Sequence, residues 1–167
     1  MPRWKRILTH RWFDERDARR LLDHAALSRL TEHVRRSEQL HDGEIRLCIE
    51  SALPWRHLWQ DVSARQRAAE IFSELRVWDT EHNNGVLIYL LLAEHAIEIV
   101  ADRGLGRITL APHWHAVLAD AQQHLRQGAI EQGLQVAVDG VSQVLQSAYP
   151  PQGHKPGNQL PDAPDLR

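Results

Sequence analysis

A single cysteine, Cys48, occurs in 167 residues, and one cysteine cannot form an internal disulfide. That excludes a disulfide-stapled scaffold and makes a reducing compartment the expected setting. Long apolar runs are missing as well. The longest, Val86 to Ala93, is too short to cross a bilayer as a helix. The first residues, MPRWKRILTHRW, carry charge but neither the apolar stretch nor the small-residue cleavage site of an export signal. A cytoplasmic protein is expected. An excess of one charge is also lacking, since 20 Lys+Arg stand against 22 Asp+Glu. With no global field to attract a polyanion, no nucleic-acid partner is expected.

What is present reads as one domain with two short extensions. Hydrophobic residues make up 43% and charged residues 25%, as in ordinary globular proteins. Trp4, Ile7, Leu8 and Trp12 form an apolar stripe at helical spacing. Asp23 precedes a second helix that turns Leu27, Leu30 and Val34 inward and stops at His41-Asp42-Gly43. Glu44 to Glu50 alternates polar and apolar residues and predicts a strand. A loop with Pro54, Trp55 and Trp59 follows, its tryptophans expected to pack inward. Ser63 is a good N-cap for a helix carrying Ala68, Ile71, Phe72, Leu75 and Trp78. Val86 to Leu92 is continuously apolar, as a strand covered on both faces should be. Ala96 to Ala101 closes a hairpin with it. Two more helices follow, one opening at Pro112 and ending at Gly128, the other running from Ile130 to Ala148.

This order predicts an α/β fold, a three-layer α/β/α sandwich about a short mixed sheet. A right-handed β-α-β crossover makes the first two strands parallel, and the third is antiparallel to the second. The expected division is a basic amphipathic segment over residues 1–19, a domain over 20–149, and a tail over 150–167. That tail holds five of the eight prolines and so little apolar surface that a flexible segment is expected.

At one end of such a sheet His41, Asp42, the loop from Asp79 to Asn84, and Asp102 come together. Hard cations such as Ca²⁺ and Mg²⁺ take oxygen ligands, and Asp79, Glu81, Asn84 and Asp102 are the candidates. The competing interpretation, and the heavier one, makes Asp79 and Asn83-Asn84 turn residues and Asp102 a solvated charge. The opposite end offers Glu50, Ser51, Glu94 and His95. Eleven histidines show no zinc-binding spacing: His113 and His115 are i, i+2 on a helix, and no Cys pair or HExxH occurs. No G-x-S-x-G elbow is present. Arg3, Lys5, Arg6 and Arg11 flank the stripe of Trp4, Ile7, Leu8 and Trp12. Such a helix can bind a protein partner or lie peripherally on an anionic membrane; its plainer role is to cover the domain's own core.

The stretch NNGVLIYLLLAEHAIEIVADRGL, residues 83–105, resembles the hallmark of the TPM domain family. GEIRLCIES (43–51) is similar to that family's first strand, and AAEIFSELRVWDTEHNNG (68–85) to its connecting helix and loop. The family includes a plant thylakoid-lumen acid phosphatase, a photosystem II repair factor and a modulator of nematode acetylcholine receptors. The resemblance implies a helix-covered short sheet, with either a partner-binding accessory role or a metal-dependent acid phosphatase using Ca²⁺ or Mg²⁺. Two departures weaken the second. Many members carry Asp where Asn84 stands, and Gly-Tyr-Gly-Leu-Glu where this chain reads Asp102-Arg103-Gly104-Leu105-Gly106. The resemblance also implies a partner of the LemA type, beside which short cytosolic members are often found.

Overall fold

Helix α1 spans Arg3–Arg11 and α2 Glu15–Leu21, and α3 (His24–Ser37) starts where Asp23 accepts a hydrogen bond from the Ala26 amide at 2.7 Å. The computed structural model describes residues 3–11, 13, 15–105, 111–151 and 157–167; for 3–5, 15–17 and 111–113 it describes only the backbone. Strand β1 is Glu44–Glu50, followed by the short helix α4 (Trp55–Trp59) and α5 (Ala64–Glu74). Ser63 and Gln66 form a reciprocal capping box at the start of α5, which satisfies two otherwise orphaned amides. Strand β2 is Gly85–Leu91, a single 3₁₀ turn covers Leu92–Glu94, and β3 is Ala96–Ala101. Helices α6 (Ala111–Arg126) and α7 (Ile130–Ala148) are separated by Gly128 at φ 77°, a left-handed turn that glycine adopts without strain. A two-residue strand β4, Asp165–Leu166, ends the series.

The sheet runs in the order β3-β2-β1-β4. Strand β1 pairs parallel with β2, with Glu44 opposite Gly85, and β2 pairs antiparallel with β3, with Val86 opposite Ala101. Alternation along the strands divides the core in two. Ile45, Leu47, Ile49, Val86, Ile88 and Leu90 face a cluster completed by α2, α3, α6 and α7. Cys48, Leu87, Tyr89 and Leu91 face the opposite way, against α4 and α5. Helices therefore cover both faces, and the expected α/β/α layering stands. Among the described residues no helix is long and apolar enough to cross a membrane.

The polar members of β1 are not solvated. Glu44, Arg46 and Glu50 are all buried, because α5 covers one face and the C-terminal segment covers the outer edge. That corrects the expected flexible tail for residues 157–167: β4 pairs with Cys48 and Ile49, and Leu160 is buried in the second cluster. An apolar count underrates this segment because its anchoring comes from ion pairs and carbonyl groups. Trp55 and Trp59 also depart from expectation. They belong to a helix rather than a loop, and both are exposed.

Gly85 shows why a glycine opens β2. A Cβ there would lie 2.0 Å from the backbone oxygen of Val77, and backbone moves less readily than a side-chain tip. Gly85→Ala should lower stability by about 1–3 kcal/mol, measured by urea unfolding. An unchanged midpoint would mean that the turn at Val77 yields freely.

Candidate functional site

Two groups of polar residues lie at opposite ends of the sheet. At the amino ends of β1 and β2, loop 79–84 is held by its own contacts. The Asn84 amide donates to the Thr80 hydroxyl at 3.1 Å, and its side-chain Nδ2 donates to the Asp42 carbonyl at 2.8 Å. Asn83 adopts φ 51°, a conformation asparagine tolerates, and its carbonyl accepts the Gly104 amide at 3.1 Å. A Cβ on Gly104 would lie 2.4 Å from the Tyr149 hydroxyl and 2.5 Å from the Asn83 carbonyl, so the close approach of these loops requires glycine. Asp102 is 5% exposed. Its Oδ1 accepts the Arg103 amide at 2.6 Å, while Oδ2 is buried and has no hydrogen-bond partner among the described residues. Burial and the neighbouring Asp102 charge push the Tyr149 hydroxyl above its ordinary range.

The four candidate cation ligands thus divide. Asn84 and Asp102 are buried, whereas Asp79 and Glu81 are exposed. The Glu81 amide is capped by Gln159 Oε1 at 2.9 Å, a contact supplied by the C-terminal segment. Among the described residues no three His, Cys, Asp or Glu side chains gather as metal ligands would. The unpartnered oxygen of Asp102 suits a cation, but a tight calcium site needs several converging carboxylates, and the set as a whole does not fit one. Gly106 lies outside the described residues.

At the carboxyl ends of the parallel strands, α1 docks through charge. Glu94 Oε1 accepts Arg6 Nε at 2.6 Å and meets His10 Nε2 at 2.8 Å. The Leu53 amide donates to His10 Nδ1 at 3.0 Å, so the ring proton sits on Nε2 and points at Glu94. This histidine–carboxylate pair resembles a general base, yet both ring nitrogens are engaged, so it fastens α1 to the domain. Arg6 also reaches Asp61 at 2.8 Å and the Val62 carbonyl at 2.6 Å. Burial would raise the Glu94 carboxyl, but the His10 and Arg6 hydrogen bonds outweigh it and hold the group below its usual range. A cleft of about 680 Å³ opens here between α1 and the 3₁₀ turn, lined by Arg6, His10, Phe13, Ser63, Glu94 and His95. Glu50, Ser51 and Arg67 line a smaller one beside it, of about 380 Å³.

The stripe on α1 divides as well. Ile7 packs against the second core cluster, whereas Leu8 is 48% exposed. The Trp4 side chain and Trp12 lie outside the described residues. Beside α1, the α4 tryptophans Trp55 and Trp59 stand edge to face, with ring centroids 5.7 Å apart and planes at 80°. Sequence reasoning missed the roles of Arg6 and His10, and it directed the tryptophan pair inward. The available signal for the pair was its i, i+4 spacing after Pro54, which is that of a short helix starting at its first turn.

The TPM domain matches residues 16–144 of the chain. No curated protein matches it. Among solved structures, the NMR structure of the BA42 protein from the psychrophilic bacterium Bizionia argentinensis superposes with a TM-score of 0.76. The two are 23% identical, and the match covers 86% of this chain and 94% of that one. At that identity the likeness is one of fold. With the domain matched from α2 into α7, the chain belongs to the TPM domain family.

Proposed function

We propose that this chain is an accessory protein that acts by binding a protein partner at the carboxyl end of its sheet. The observation that carries this is the tryptophan pair on α4. Trp55 is 59% exposed and Trp59 57%, and each ring is braced by the other. Large aromatics held in one orientation lose little freedom on binding, and Trp and Arg dominate the energetic centres of protein interfaces. Arg56 lies between them in sequence. Leu8 on the adjoining α1 adds exposed apolar surface at the same end and is what the described residues retain of the N-terminal stripe as a partner contact. The proposed partner is a membrane-associated protein of the LemA type, which would place the chain peripherally at a membrane.

The second reading is a metal-dependent acid phosphatase. The buried, unpartnered oxygen of Asp102 favours it, but the dispersal of Asp79, Glu81, Asn84 and Asp102 supports weak Ca²⁺ or Mg²⁺ binding at most. Without a firmly held ion little here could polarise a phosphoryl oxygen.

One set of measurements separates the two. The soluble part of a LemA-type protein is titrated into the native chain and into a Trp55→Ala/Trp59→Ala variant. Loss of both rings should weaken binding by about 30-fold, with the thermal midpoint nearly unchanged because the rings are exposed. Equal affinity of the two proteins would sink the α4 surface. Phosphomonoester turnover that requires calcium or magnesium and disappears in Asp102→Ala would promote the phosphatase instead.

A further inference from the structure

Residues 157–167 lie beyond the matched TPM domain, yet they line the outer edge of β1 from end to end. Near the start of that strand the Leu160 amide reaches Glu44 Oε2 at 3.3 Å, and the Leu160 side chain enters the second core cluster. Midway, the Arg46 guanidinium donates to the carbonyls of Pro161 at 2.7 Å and Ala163 at 2.5 Å. At the far end Asp165 and Leu166 pair in parallel with Cys48 and Ile49. There the Arg167 amide donates to Ile49 at 2.9 Å, and the Ser51 amide donates to the Arg167 oxygen at 2.7 Å.

The side chains of this segment are sorted by charge. Asp165 receives Arg167 Nε at 2.6 Å and faces Arg46 at 3.8 Å. Leu166 packs on the main core cluster, and Arg167 pairs with Glu74. The edge therefore offers strand amides and carbonyls together with a cation, an apolar surface and an anion in sequence. That combination is how a sheet edge recognises an extended peptide. The occupant is held by side chains more than by the strand ladder. Only two of its residues form ladder pairs, and Pro161 and Pro164 have no N–H to contribute. It can leave without breaking any pairing among β1, β2 and β3.

We propose that the outer edge of β1 is a docking groove for an extended, parallel Asp-Leu-Arg segment. The occupant that can replace the chain's own residues 157–167 is the same segment of a second copy. Its fit is already displayed by the segment in place, and reciprocal exchange between two identical chains gives a closed symmetric dimer. The proposal goes beyond the partner-binding reading and does not rest on the α4 tryptophans.

The test uses the full chain and a fluorescent peptide of residues 157–167. Leu166→Ala weakens the resident segment while leaving the groove intact, so this variant should bind the native peptide about 10-fold tighter than the native chain does. Adding Arg46→Ala, or exchanging Asp165 and Arg167 within the peptide, should abolish that gain. A folded Leu166→Ala protein that binds native and charge-exchanged peptides alike overturns the groove. Should that variant fail to fold, amide exchange on the native chain decides. The Ser51 and Arg167 amides should exchange about 100-fold faster than those of Ile88 and Leu90, by opening of the edge alone; equal rates overturn the proposal. Sedimentation addresses the occupant. A dimer that grows with concentration and dissolves in excess peptide supports exchange between copies. A chain that binds peptide yet stays monomeric at millimolar concentration overturns the second copy as occupant.

Discussion

Arg67→Met should lower the free energy of unfolding by about 3–5 kcal/mol, the cost of leaving a buried ion without its partner. Arg67 lies on the inner face of α5, 4% exposed, and Glu50 at the end of β1 is 3% exposed. The guanidinium holds Glu50 with Nε at 3.1 and 3.2 Å and Nη2 at 2.9 Å. Its Nη1 reaches Glu70 and Glu74, each at 3.0 Å. Burial works against the Arg67 charge, but hydrogen bonds and charge from Glu50, with help from Glu70 and Glu74, outweigh it and push the group above its ordinary range. Methionine would fill much of the volume and supply none of the donors. Glu50 would then keep the Tyr89 hydroxyl, at 2.5 Å, and lose its buried cation. The double variant Arg67→Met/Glu50→Leu separates charge from packing. Removing both ions should recover most of the loss, because the desolvation cost disappears with the attraction. A single variant that loses less than about 1 kcal/mol would mean that water reaches Glu50 and screens it.

The layers of the fold are legible because they rest on local periodicity. Alternation in Glu44 to Glu50 and the continuous apolar run from Val86 give both strands, the run also gives the burial of β2, and Asp23 and Ser63 mark helix starts through contacts three residues away. What escapes is long-range pairing of polar groups. Arg6 meets Glu94 across 88 positions, and Arg46 meets the Ala163 carbonyl across 117. No spacing rule connects residues so far apart, so the docking of α1 and of the C-terminal segment cannot be read from composition. The candidate cation site shows the same limit. Asp79, Glu81, Asn84 and Asp102 do belong to one end of the sheet, as strand order requires. Whether four oxygens converge depends on loop conformation, and here Asn84 bridges to Asp42 while Glu81 is exposed. The tryptophans of α4 fail for another reason: hydrophobicity predicts burial on average, and an exposed pair is the exception that carries information.

Raising the pH from 8 to 10.5 should cost the fold about 3 kcal/mol, through two buried groups on β1 and β2. Burial pushes the Cys48 thiol far above its ordinary range, and the negative charge of Asp165, 3.6 Å from Sγ, adds to the shift. Burial likewise pushes up the Tyr89 hydroxyl, followed by the charge of Glu50 and the hydrogen bond to it. Both groups therefore keep their protons in the folded chain at pH values where the unfolded chain gives them up. Their contribution is fully present below the unfolded values of about 8.5 and 10 and is lost as pH rises beyond them. The slope approaches about 1.4 kcal/mol per pH unit for each group once its unfolded form is ionised. Cys48 should dominate, because its unfolded pKa is the lower. Urea unfolding at a series of pH values measures the profile directly. Cys48→Ala should remove roughly 2.5 kcal/mol of the decline, and Tyr89→Phe the smaller part that appears above about pH 10. A profile that stays flat to pH 10.5 in the native chain would mean that the thiolate and phenolate find solvent without unfolding. The first place for that to happen is the edge of β1, where the thiolate would face Asp165 and like charges would drive β4 away.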